Sequence, residues 1–198
     1  MSKTPNIFVR SLRELRSTRC LALTALLIAI NIALSLLGLE IRLPPDLKIG
    51  FSFLANAAIG MLFGPSVAMV AGVCTDLLGY IATGSSMGMY FPGFTITAIT
   101  AGLFWGLWLY PRKSALWRAV GAKVCINLFC NIGLNTLWLT MTGGKAMTVL
   151  LAARIPKNLL MLPIEIAVLY FGMKLVLRFY HMLPVGSVAE RPASGKIP

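Results

Sequence analysis

Few residues in this chain have the chemistry to do anything beyond pack, and they recur in a pattern. Asp76 is a carboxylate midway along an otherwise apolar stretch, followed by Gly79 and Tyr80. Asn127, Asn131 and Asn135 recur every four residues, and Trp138 lies three beyond the last. On a helix that spacing aligns the amides and the indole along one stripe. Buried amides need partners, so such a stripe faces protein or a cavity rather than lipid. Tyr90, Phe91 and Phe94 add aromatic rings that, with Asn135 and Trp138, could make a slot with amide donors and acceptors. An aromatic belt at a membrane interface is the competing reading of Trp138. Lys123 and Glu165 fall inside two further apolar stretches and are candidates to pair with each other.

Nucleophilic and metal catalysis have little to build on. The one histidine, His181, sits at the end of the last apolar stretch, and no GxSxG, HExxH, P-loop or dinucleotide fingerprint is present. Cys20, Cys74, Cys125 and Cys130 lie in apolar segments with no CxxC pair, and read as small buried hydrophobes. No catalytic residue, metal or cofactor is expected.

The elements that must position these residues are set by hydropathy. Charged residues make up 12% of the chain and hydrophobic ones 58%, with a mean hydropathy of +0.82. A soluble domain would carry about 25% charged residues. A bilayer explains the deficit, because a charge at its centre costs about 2.5–3.5 kcal/mol. The expected fold is an all-α integral membrane protein, a six-helix bundle with spans at 20–37, 49–63, 66–83, 94–110, 116–141 and 154–180. Three regions follow: a basic cytoplasmic interfacial segment (1–19), with Phe8, Leu12 and Leu15 at helical spacing; the membrane domain (20–182); and a disordered cytoplasmic tail (183–198).

With six spans and both termini inside, the inner segments hold Lys3, Arg10, Arg13, Arg16, Arg19, Arg112, Lys113, Arg118, Lys174, Arg178, Arg191 and Lys196. The outer ones hold Arg42, Lys48, Lys145, Arg154 and Lys157. This bias obeys the positive-inside rule, which also accounts for the net charge of +12 without nucleic acid. The outer cations are its exceptions, either snorkelling at the interface or forming a basic vestibule for an anionic solute. Ala25, Ala29 and Ala33 form a flat strip on the first span, suited to packing within the bundle or to docking a second membrane protein. Gly60/Gly64 and Ala98/Gly102/Gly106 repeat the spacing.

The segment GFSFLANAAIGMLFGPSVAMVAGVCTDLLGY (50–80) resembles the second and third helices of the substrate-binding S components of energy-coupling factor (ECF) vitamin transporters. FPGFT (91–95) and LNTLWLTMTGGKAMTVLLAARIPKNLLMLPIE (134–165) resemble their folate-specific branch. The resemblance spans roughly residues 20–180. It implies a bundle in the cell membrane that captures folate from outside, with no ATPase of its own. Its partners would be a transmembrane coupling subunit and two cytosolic ATPase subunits, the former docking on Ala25, Ala29 and Ala33.

A folate brings a flat pterin with a donor/acceptor edge, an aryl group and a glutamate tail with two carboxylates. Phe91, Phe94 and Trp138 are candidates for the aromatic walls. Asn135, Asn158, Asp76 and Thr95 are candidates for the polar edge, and Arg42, Arg154 and Lys157 for the tail. Two alternatives stand beside this reading: an S component for another anionic vitamin such as pantothenate, and a membrane scaffold that transports nothing.

Overall fold

A computed structural model describes residues 6–38, 40–43, 47–83, 90–110, 115–143 and 147–182, with the backbone alone at 40–43, 47–49, 83, 153 and 181. Residues 84–89, the inner cations Arg112 and Lys113, Lys145 and the tail from 183 lie outside the described residues. In chain order the elements are α1 (Ile7–Glu14), α2 (Thr18–Leu36), β1 (Glu40–Leu43), β2 (Leu47–Gly50), α3 (Phe53–Phe63), α4 (Pro65–Thr83) and α5 (Pro92–Leu109). Then come α6 (Leu116–Cys125), a π-helical segment (Ile126–Leu134), α7 (Asn135–Gly143) and α8 (Met147–Met182).

Among the described residues, five helical stretches are long and apolar enough to cross a membrane: Thr18–Leu36, Pro65–Ala82, Pro92–Leu109, Leu116–Gly143 and Met147–Tyr180. The remaining expected span is the eleven-residue α3. At 1.5 Å per residue it is about 16 Å long, half the thickness of a hydrocarbon core. Residues 47–50, expected to begin that span, instead pair antiparallel with β1, with Arg42 opposite Lys48 in register. Being apolar all round, α3 is buried all round from Ala57 to Phe63 and forms the centre of the bundle. A second departure is at α8, which begins at Met147 rather than 154, so Arg154 lies within a helix instead of at its mouth.

Small residues set the closest helix crossings. A Cβ on Gly72 of α4 would lie 2.6 Å from the Ala98 carbonyl oxygen of α5, and one on Gly60 of α3 would lie 2.7 Å from Trp105 Cβ. Gly102 and Gly106 are held as tightly, against the backbone of Ala68 and Pro65. These glycines therefore pack inside the bundle. The alanine strip does not: Ala25, Ala29 and Ala33 are exposed, while Cys20, Thr24, Ile28 and Asn31 face inward.

The N-terminal segment is helical, as its spacing suggests, but it is pinned to the bundle. Ser11 is wholly buried; its hydroxyl donates to the Phe63 carbonyl (2.8 Å) and accepts from the Val67 N–H (3.2 Å), bridging the α3–α4 turn. Ser66 reaches back to the Phe8 carbonyl (3.1 Å). Gly64 makes that turn at φ +90°, and a Cβ there would meet Ser11 Oγ at 2.9 Å. Both torsion and space demand glycine.

Lys123 of α6 and Glu165 of α8 do pair, at 2.9 Å, with side chains only 4% and 17% exposed. The ammonium also stands 3.9 Å from the centroid of the Phe53 ring. One charged residue thus ties α6 to α8 and to the start of α3, which compensates its removal from water.

Candidate functional site

A cavity of about 600 Å³ opens between α2, α3, α4, α5 and α7. Its lining is Ser35, Asn56, Gly72, Thr75, Asp76, Gly79, Tyr80, Tyr90, Phe91, Phe94, Ala98 and Leu139, mostly apolar with a few polar groups. That size and make-up are those of a small-molecule site. Asp76 is the one charged residue among the described residues of the lining.

The carboxylate is held by a short relay. Thr95 Oγ1 donates to Asp76 Oδ2 at 2.6 Å, and the Tyr90 hydroxyl is hydrogen-bonded to the same Thr95 oxygen. Tyr80 packs edge-on against Tyr90, with centroids 5.3 Å apart. The relay crosses from α4 to the start of α5, which Pro92 opens at a position where its missing N–H costs nothing. One carboxylate oxygen is thereby fixed, and the group keeps acceptor capacity for N–H donors on a ligand.

Phe91 and Phe94 form an edge-to-face pair at 6.1 Å, and Trp138 backs Phe91 at 5.6 Å. The indole is anchored: its Nε1–H donates to Thr97 Oγ1 at 3.0 Å, and Thr97 donates to the Gly93 carbonyl at 3.3 Å. Trp138 therefore supports the wall from behind rather than lining the cavity. Gly93 makes the stack possible, since a Cβ there would lie 2.5 Å from Trp138 Cδ2.

Asp76, Thr95, Phe91, Phe94 and Trp138 are thus brought together. The other candidates stand apart. Asn135 is half-buried at the start of α7, off the lining. Arg154 donates to the Asn131 carbonyl at 3.1 Å, and Asn158 donates to the Arg154 carbonyl at 3.0 Å, so both are engaged with backbone. Lys157 is exposed on α8. Arg42 is placed only by its backbone in β1.

The sequence reading missed Asn56. It lines the cavity from α3, and its Oδ1 is buried with no hydrogen-bond partner among the described residues. An unpartnered acceptor there costs about 1–3 kcal/mol unless something donates to it. The signal was present: an amide within the apolar run FLANAAIGMLF needs a partner as much as those of the fifth span.

Comparison with known proteins matches residues 19–171 to the family model of the ECF transporter substrate-specific component. The chain belongs to this family. Among curated relatives, the folate transporter FolT of Clostridium novyi is 37% identical over 132 residues, covering 67% of this chain and 76% of that one. FolT of Leuconostoc mesenteroides is 32% identical over 160 residues, covering 78% and 84%. A crystal structure of FolT bound with folic acid superposes with a TM-score of 0.69 at 30% identity, covering 78% of this chain and 92% of the other. An S component is a substrate-binding membrane subunit rather than an enzyme, and the helices of spanning length agree with a multi-pass membrane protein.

Proposed function

We propose that this S component binds folate in the cavity at Asp76 and delivers it by docking on a transmembrane coupling subunit that two cytosolic ATPase subunits drive. The observation that carries the reading is the cavity itself: a fixed carboxylate and an unpartnered amide oxygen beside a wall of Phe91 and Phe94. A pterin is flat, stacks on aromatic faces, and offers N–H donors along one edge to Asp76 and Asn56. The described residues of the lining include no cation, so the glutamate tail is assigned to cations beyond them. Arg154, Lys157 and Arg42 are the cations that receive the tail, Arg154 by exchanging its bond to the Asn131 carbonyl for a carboxylate.

The Ala25/Ala29/Ala33 strip is the docking face, because close helix approach needs small residues and all three alanines are exposed. The charge pattern orients both termini, with α1 and the 183–198 tail, toward the cytoplasm. The test is calorimetric titration of the purified chain in detergent with folic acid, and separately with pantothenate. One-to-one binding of folic acid at nanomolar strength is the expected result. Heat with pantothenate alone would move the assignment to another anionic vitamin. Silence with both, from a folded chain, would leave the scaffold reading.

A further inference from the structure

Between α3 and α8, Leu54 of α3 and Ile164, Ala167 and Phe171 of α8 line an apolar groove of about 620 Å³. Gly172 stands against Leu54 in the groove wall, where a Cβ would come within 2.7 Å of Leu54 Cδ2, so the glycine lets α8 approach α3 closely at this point. Lys174 and Arg178, four apart on the same helix, close one end and are its charged members. Both are exposed, and among the described residues neither pairs with a carboxylate. The Lys174 ammonium rests 4.4 Å from the centroid of the Tyr170 ring, which holds it on this face.

Two dimensions identify what fits. From Ile164 to Lys174 the helix rises about 15 Å, the depth of one leaflet of a 30 Å hydrocarbon core. The basic end also lies at the level of the other basic residues. Val176 and Tyr180 pack on the cluster holding Cys20 and Phe63, and the Phe63 carbonyl is bonded to Ser11 of α1, the helix that carries Arg10 and Arg13. An apolar slot one leaflet deep, ending in two cations at the headgroup level, has the shape and charge of a single lipid with an acid headgroup.

We infer that this groove is a binding site for one anionic phospholipid of the inner leaflet, with an acyl chain along Ile164–Phe171 and its phosphate between Lys174 and Arg178. The site is independent of the folate reading, since it shares no lining residue with the substrate cavity. Bound there, the lipid ties α8 to α3 and fixes the depth of the bundle in the bilayer.

The test is native mass spectrometry of the full chain released from nanodiscs of equimolar phosphatidylglycerol and phosphatidylcholine. The expected spectrum has one retained lipid, with phosphatidylglycerol enriched roughly 10- to 30-fold, the effect of two cations at a membrane surface. The double variant Lys174→Gln/Arg178→Gln should lose the enrichment. Ala167→Trp, which keeps both cations but fills the groove from an exposed position, should lose the retained lipid. Arg13→Gln/Arg16→Gln, in α1 and just after it, should leave both intact. Equal retention of the two lipids by the unaltered protein would overturn the inference without any variant. So would full enrichment in Ala167→Trp, which would reduce the effect to surface charge, or a loss in the α1 variant as large as in the α8 variant. Ala167→Trp that keeps its lipid but loses assembly with a coupling module would make the groove a protein-docking face instead.

Discussion

The Lys123–Glu165 pair offers a quantitative test of how this bundle holds together. Replacing Lys123 with Met keeps the length and apolar contact of the stem against Phe53 and Trp105, but removes the cation 2.9 Å from the Glu165 carboxylate. With that carboxylate 17% exposed, water cannot replace the lost partner. Breaking one side of a buried pair costs about 3–5 kcal/mol. Loss of the cation over the Phe53 ring falls within that figure, because the same ammonium makes both contacts.

Glu165→Leu should cost a similar amount by stranding Lys123. The double variant Lys123→Met/Glu165→Leu strands nothing and should recover to within about 1 kcal/mol of the unaltered protein, or exceed it, since desolvating each ion costs several kcal/mol. The cycle should therefore show a coupling of at least about 3 kcal/mol. A thiol-reactive dye can read unfolding in mixed micelles, because Cys20 and Cys130 are each only 1% exposed and react when the bundle opens. Additive single effects, or a double variant as unstable as their sum, would refute the argument. The pair touches no residue of the cavity lining, so ligand affinity per folded molecule should not change.

Asp76→Asn preserves the shape of the site and its bond from Thr95 but removes the charged acceptor. Folic acid affinity measured by calorimetry should fall roughly 10- to 150-fold, matching about 1.5–3 kcal/mol for a charge-assisted bond. An unchanged affinity would take Asp76 out of the site. Gly93→Val drives a branched side chain into Phe91 and Trp138 and should destabilise the fold by about 1–3 kcal/mol, with a shift in tryptophan emission as the indole loses its bond to Thr97. Ala29→Trp changes an exposed position, so melting temperature and folic acid binding should hold in the isolated chain while vesicle uptake with the coupling module collapses. Loss of binding together with uptake would count against a docking strip.

Hydropathy placed most of the helices well because a bilayer makes it a strong constraint. The expected 66–83 and 94–110 became Pro65–Thr83 and Pro92–Leu109, shifted only where proline occupies a helix's first turn. Candidates within one turn of each other in sequence also stay together: Phe91, Phe94 and Thr95 stand side by side at the start of α5. Spacing says less where the outcome depends on what a neighbour presents. Whether a small-residue strip faces in or out depends on the whole bundle: the glycines of α5 face α3 and α4, and the alanines of α2 face outward, from the same spacing. The burial of Ser11 needed the α3–α4 turn more than fifty residues away, a contact that hydropathy does not encode.

The fifth span shows the deeper reason. Asn127, Asn131 and Asn135 predict one amide stripe on a regular helix, but Ile126–Leu134 is π-helical, and the wider turn changes which residues share a face. Asn127 turns inward and accepts from Asn131 (2.6 Å), Thr136 rather than Asn135 is fully buried, and Trp138 meets Thr97. The Asn131 carbonyl, in the irregular stretch, takes the Arg154 guanidinium. A π segment persists where tertiary contacts hold the extra residue. Here those contacts are an arginine from α8 at Asn131 and the Thr97 carbonyl of α5, which accepts from the Cys130 thiol at 3.9 Å. None of the three amides is among the described residues of the cavity lining. They and Arg154 set the rotation of α7, and that rotation places Trp138 behind Phe91 and Leu139 in the cavity wall. Any ligand group that draws Arg154 away from Asn131 therefore acts on the aromatic wall through the π segment.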